Sequence, residues 1–142
     1  MKIDDIKTHL EKDKKIDQTQ LDVESLKIPE QAVKYQQMAH DEALRLRFLE
    51  KEYNVARYNR WMYYMGKADP DVYDKEPFDH KVLKSDINIF LESDLILNEI
   101  QDRIAAQTEK LKLVVDAGKI MQNKSFNIKN ALEHQKFMGG AF

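Results

Sequence analysis

The chain has 142 residues, 34% charged and 42% hydrophobic, with four glycines, three prolines, no cysteine and a formal net charge of −2 at pH 7. That length allows one domain, or one domain with an arm, around a modest core, and the composition is that of an α-rich protein with long exposed helices. The absence of cysteine excludes disulfides, thiolate zinc sites and cysteine nucleophiles, as suits a reducing cytosol, and the charge total argues against DNA binding by bulk positive charge.

Residues 2–14 read as a short amphipathic helix with Ile3, Ile6 and Leu10 on one side. Three apolar residues do not hold a helix in water, so it must dock. After a break at Lys14 to Asp17, a second short helix carries Leu21, Val23, Leu26 and Ile28 and stops before Pro29, so residues 1–28 form an N-terminal helical segment. Proline is a common first-turn residue, which puts a new helix, or a kink in a longer one, near Pro29 and Glu30.

Neither glycine nor proline interrupts the sequence from there to Met65, which predicts one helix of about 36 residues, roughly 54 Å long. Its apolar back is Val33, Leu44, Phe48, Val55, Met62 and Met65, and Gly66 ends it. Residues 67–84 form an acidic connection containing Pro70 and Pro77. Ser85, with Asp86 behind it, is placed to cap a second long helix running to about Met121. There Leu97, Ile100, Ile104, Leu111, Val114 and Met121, with Gln107 and Gly118 as imperfect members, make a heptad seam that packs along another long helix, in the same chain or a neighbour. Residues 122–142 read as a basic C-terminal arm in which Ser125 caps a last helix bearing Phe126, Ile128, Leu132 and Phe137, closed by Gly139 and Gly140. This arm either bridges to another subunit or docks back on its own chain.

Charge is segregated. From Asp69 to Glu109 eleven acids face only Lys75, Lys81, Lys84 and Arg103, whereas from Ala117 onward Lys119, Lys124, Lys129 and Lys136 face Glu133 alone. Tyr53 to Ala68, YNVARYNRWMYYMGKA, has no acid at all. At about 100° per residue, Tyr53, Arg57, Arg60, Tyr64 and Lys67 fall in one narrow stripe, and Trp61 adds a further ring. Alternating cations and rings suit single-stranded nucleic acid, because cations neutralise phosphates and a ring face stacks on any base. The same residues also fit a core helix whose aromatics pack while its arginines snorkel to water.

No catalytic arrangement emerges. His9, His40, His80 and His134 are too scattered to share a helix face, and Asp69, Asp71 and Asp74 lack the glycine and distant glutamate of a calcium loop. The sequence offers no phosphate-cradling glycine loop and no activated nucleophile, so the expectation is a non-enzyme without metal or cofactor. The charged N-terminus, MKIDDIKTHLEKD, is not that of a signal peptide, and no apolar run approaches the roughly 20 residues that span a bilayer.

Taken in order, Leu10, Lys12, Asp13, Ile16, Asp17, Thr19, Leu21 and Glu24, then Arg60, Tyr63, Tyr64 and Gly66, then Val82, Leu83 and Asp86, and finally Phe126, Ile128, Lys129, Phe137 and Gly139 give the chain its family likeness. It resembles the UvsY recombination mediators of T-even-type bacteriophages over nearly its full length. The resemblance implies an all-α protein with two long helices plus short N- and C-terminal helices, assembling into a ring-like or open-barrel homo-oligomer, a heptamer in the family. It further implies binding of single-stranded DNA and help to a RecA-like phage recombinase against the phage single-stranded DNA-binding protein, in the cytoplasm of the infected host. In the family the segment matching Tyr58 to Gly66 is tied to DNA binding through a lysine and an arginine two residues apart. Arg60 matches the arginine, while Tyr58 stands in the lysine's place and Pro29 is a second departure. The candidate strand-binding set is therefore Arg57, Arg60, Tyr64, Lys67, Tyr53 and Trp61. The rival is a coiled-coil structural or adaptor protein that does not bind DNA.

Overall fold

The computed structural model describes residues 1–140, and every regular element among them is helical: α1 (Ile3–Asp13), α2 (Leu21–Tyr64), α3 (Pro70–Lys75), α4 (Ile87–Glu92) and α5 (Leu95–Met138). The all-α expectation holds, but several boundaries move for local reasons. No break occurs at Pro29, which lies inside α2. A proline there forfeits the bond to the Ser25 carbonyl and costs about 3 kcal/mol in a helix interior. The helix continues because both flanks are anchored: Leu21 and Glu24 before Pro29 and Tyr35 after it are all buried.

Gly66 closes α2 as expected. It takes φ +73°, with Gly66 N–H on the Tyr63 carbonyl at 3.2 Å and Lys67 N–H on the Met62 carbonyl at 2.9 Å, the paired bonds of a Schellman ending. The connection is not structureless, since Asp69 at the N-cap position and Pro70 at the first helical position start α3. The second long helix does not begin at Ser85 either. Helix α4 stops where Ser93 Oγ donates back to the Ile89 carbonyl at 2.8 Å, and α5 restarts where Asp94 Oδ1 accepts the Leu97 N–H at 2.9 Å. At the other end α5 runs through residues 122–125 without interruption. Ser125 Oγ donates to the Gln122 carbonyl at 2.7 Å inside the helix and so caps nothing, and the separate C-terminal helix is the last part of α5. Of the expected arm, Ala141 and Phe142 lie outside the described residues.

The chain packs as two compact units, residues 1–43 with the chain from Glu109 onward, and residues 44–108. Helices α2 and α5 each contribute to both units.

In the first unit α1, the first half of α2 and the last part of α5 form a three-helix bundle. Tyr35, Ala117 and Met121 make its core, with Leu10 and Met38 packed on them, and Ile6 is fully buried. Helix α1 lies antiparallel to α2: the Met1 amino group is 3.6 Å from Glu42, while Asp13 Oδ2 accepts from Lys34 Nζ at 2.6 Å and from the Tyr35 hydroxyl at 2.8 Å. Lys124, 3% exposed, joins all three helices. Its Nζ donates to the Asp13 carbonyl at 2.9 Å and Gln31 Oε1 at 3.1 Å, and pairs with Glu24 Oε2 at 3.3 Å.

The seam of α5 is buried as its spacing predicts, at Leu97, Ile100, Gln107, Val114 and Met121, and it continues through Lys124 to Ile128. Helix α2 differs from expectation. Phe48 and Val55 of its supposed apolar back are 69% and 62% exposed, and Val33 and Leu44 are exposed too. The inward line is instead Tyr35, Glu42, Leu49, Ala56 and Tyr63, a seven-residue repeat in which only the buried Tyr35, Glu42 and Tyr63 are fully covered. Ranking residues by apolarity hides such a line, because tyrosines and a carboxylate occupy it.

Candidate nucleic-acid interface

The second unit holds every candidate strand-binding residue. Ile87, Leu91 and Leu97 form its apolar centre, against which Tyr53, Ala56, Trp61, Tyr64 and Met65 from the α2 side are packed, together with Val82. Beyond this centre a ring cluster forms. Tyr63 stacks on Tyr73 at 5.4 Å between centroids, and Phe78 lies 5.3 Å from both Tyr63 and Tyr64. The Tyr73 hydroxyl donates to the Tyr63 carbonyl at 2.8 Å and accepts the Ala68 N–H at 3.3 Å, which ties α3 to the end of α2.

The six candidates do not share one outward stripe. Arg60 turns inward, its side chain 12% exposed: Nε donates to Asp94 Oδ2 at 2.6 Å, while Nη1 and Nη2 grip the two Glu76 oxygens at 3.0 and 3.1 Å. Its guanidinium carbon also sits 4.2 Å from the centroid of the Tyr63 ring. The Tyr64 hydroxyl donates to the same Asp94 oxygen at 2.6 Å, and the Tyr53 hydroxyl accepts from Gln101 Nε2 at 3.1 Å. Burial opposes charge on Asp94, yet the Tyr64 hydroxyl, the Leu97 N–H and Arg60 outweigh it and hold the carboxyl below its usual range. Tyr64 moves the opposite way, raised by burial and by donating to Asp94. Arg60 is buried as well, but its Glu76, Tyr64 and Asp94 partners keep it firmly protonated.

Arg57 and Lys67 differ from Arg60 in exposure. Both are exposed, and Arg57 makes no hydrogen bond or ion pair among the described residues. Asn54, Arg57, Tyr58 and Trp61 line a shallow concavity, at the i, i+3, i+4 and i+7 spacing of one helix face. Lys67 reaches the same ring from beyond the helix end: the left-handed Gly66 turns the chain, and Lys67 Nζ rests 4.9 Å from the Trp61 centroid. Trp61 is half-buried, with one side packed on the apolar centre. Tyr58 is 61% exposed and makes no hydrogen bond among the described residues. The surface thus offers two cations and two accessible rings over a rigid base, while Arg60, Tyr64 and Tyr53 build that base.

Asp94 and Glu76 were not singled out from sequence. Asp94 had a legible signal, since Ser93-Asp94 directly precedes an apolar helical run and reads as a cap. Glu76 has none, being one of many acids in the connection. Among the described residues no group of three or more His, Asp or Glu is arranged to hold a metal, and no helix is long and apolar enough to cross a membrane.

The profile of the family described as recombination, repair and ssDNA binding protein UvsY matches residues 9–141. No curated protein sequence gives a significant match. Among solved structures, crystal structures of the bacteriophage T4 recombination mediator protein UvsY are similar in fold. One crystal form has a TM-score of 0.86 at 21% identity, covering 96% of this chain and 99% of that one. A second has a TM-score of 0.85 at 22% identity, covering 98% of each.

Proposed function

The chain belongs to the UvsY family of recombination, repair and single-stranded DNA-binding proteins, and from that premise we propose that it is a mediator that binds single strands through the Arg57, Trp61 and Lys67 surface and helps load a RecA-like phage recombinase onto strands covered by the phage single-stranded DNA-binding protein. The observation that carries the reading is the free Arg57 guanidinium beside an indole already capped by Lys67. Phosphates pair with such cations, and bases stack on such rings without sequence preference. In this reading Arg60, Tyr64 and Tyr53 serve the strand by holding Trp61 and Arg57 in place. Work of this kind takes place in the cytoplasm of the infected host.

One copy presents few cations and binds weakly. A ring-like homo-oligomer, of seven copies if it follows its family, raises the effective concentration of each successive site, while each contact stays weak enough for the strand to pass to the recombinase. Support for assembly comes from the apolar residues that the single chain leaves open: Phe48 and Val55 on α2, and Leu95 and Phe126, 84% and 65% exposed, on α5. Replacing Phe48 and Val55 by Ser should lower the mass seen by light scattering, and an unchanged mass would place the subunit contacts elsewhere.

The decisive experiment is a fluorescence-anisotropy titration of the full chain against a labelled oligonucleotide. Arg57→Ala combined with Lys67→Ala should weaken binding with the oligomer mass unchanged. A wild-type chain that assembles but shows no affinity for single strands even at low salt would be a coiled-coil adaptor instead.

A further inference from the structure

We propose that Glu76 is a built-in competitor for the DNA backbone: its carboxylate occupies the outer face of the Arg60 guanidinium in the position a phosphodiester would take. The inference rests on the strand-binding reading above and goes past it, because it gives the acidic connection a task.

Arg60 has two faces in use. The Nε edge is committed to Asp94, whose side chain is 1% exposed, and that pair belongs to the base of the unit. The Nη1 and Nη2 edge meets Glu76 with two parallel bonds of 3.0 and 3.1 Å, the forked geometry by which arginine takes either a carboxylate or a phosphate. Unlike Asp94, Glu76 is 52% exposed at its side chain and follows the last residue of the six-residue α3. Its backbone is held, the Tyr63 hydroxyl donating to the Glu76 carbonyl at 3.0 Å, while its carboxylate has no partner other than Arg60 among the described residues. The carboxylate can therefore swing away while Asp94 still neutralises part of the Arg60 charge. Exchanging a carboxylate for a phosphodiester replaces one negative charge by another, so the local charge balance is kept.

A purely structural ion pair predicts something different. It fastens the connection to α2, so removing it lowers stability and leaves strand affinity unchanged. Competition predicts tighter binding, a direction that damage to the fold does not produce.

The test compares the full-length protein with Glu76→Gln and with Asp74→Asn, which removes a charge from the same exposed helix without touching Arg60, by anisotropy against a labelled oligothymidylate. Glu76→Gln should bind roughly two- to fivefold tighter, the scale of an exposed ion pair. Asp74→Asn should change affinity distinctly less. Unchanged or weaker binding by Glu76→Gln, with the Arg57→Ala variant still impaired, would overturn the competitor and leave the strand-binding reading standing. Equal gains in both variants would also overturn it, reducing the effect to general charge. Absence of binding by the wild-type chain at low salt would remove both.

Discussion

Each unit contains a cation clamped between oxygen acceptors on separate elements, and the two clamps differ in how far one acceptor is open to solvent. In the first unit Lys124 places its ammonium on the Asp13 carbonyl, Gln31 and Glu24, and its one charged partner, Glu24, is 8% exposed at its side chain. In the second, Arg60 pairs with one buried carboxylate and one half-exposed carboxylate, Glu76. A clamp sealed on every side can only hold helices in register, whereas one with an open side can exchange its partner.

The largest effect should come from opening the sealed clamp. Lys124→Ala leaves the Asp13 carbonyl and Gln31 unpaired and a buried Glu24 with Lys27 alone, and breaking a buried pair in this way costs about 3–5 kcal/mol. Urea denaturation followed by circular dichroism should register it. A loss below about 1 kcal/mol would mean that water replaces the ammonium and that the clamp is not sealed.

Asp94→Ala should cost somewhat less, roughly 2–4 kcal/mol, because it removes the α5 cap together with the partner of Arg60 and Tyr64. The same experiment measures it. If Asp94→Ala were as mild as an ordinary cap loss of about 1 kcal/mol, the Arg60 pair would be contributing nothing and the distinction between inner and outer carboxylates would fail.

These two residues also show what was and was not legible in the sequence. Helix content, the Gly66 ending and the α5 seam follow from spacing and backbone preference, which act locally. Lys124 and Asp94 depend on partners 111 and 34 residues away, at Asp13 and Arg60. Ser125 reads as the cap of a separate last helix, which places the end of the long one near Met121, although nothing in residues 122–125 breaks a helix. Arg60 shared a wheel stripe with Arg57, yet a stripe running over about four turns is long enough for an adjacent element to cover one part and leave another open. The α3 connection supplies that element, and its fold rests on ring contacts among Tyr63, Tyr73 and Phe78 that carry no periodic signal.

Acid should distinguish the clamps from the exposed surface. Burial opposes ionisation of Asp13 and Asp94, but Lys34 and Tyr35 in one case and Tyr64, Leu97 and Arg60 in the other hold both carboxyls below their normal values; Glu24 is lowered chiefly by Lys27. Carboxylates with depressed folded-state values contribute stability that is fully present above the unfolded value, near 4, and is lost as pH falls through the lower folded value. Stability should therefore be level from pH 7 to about 5 and decline below about 4. Asp94→Asn should shrink that decline, and an undiminished acid loss in the variant would assign it to other groups.

The smallest expected effect is the one that isolates the open surface. If Arg57 and Lys67 each neutralise one phosphate, removing both should flatten the dependence of log K on log salt by roughly 1.4, at about 0.7 per contact on a single strand. Unfolding stability should stay within about 0.5 kcal/mol of wild type, since both side chains are exposed, Lys67 rests on the Trp61 ring and Arg57 makes no hydrogen bond or ion pair among the described residues. Lys124→Met should do the reverse, changing stability and leaving the salt slope alone. A salt slope that follows Lys124 and ignores Arg57 and Lys67 would mean that strands meet the first unit, and the contrast between a sealed and an open clamp would then say nothing about where DNA binds.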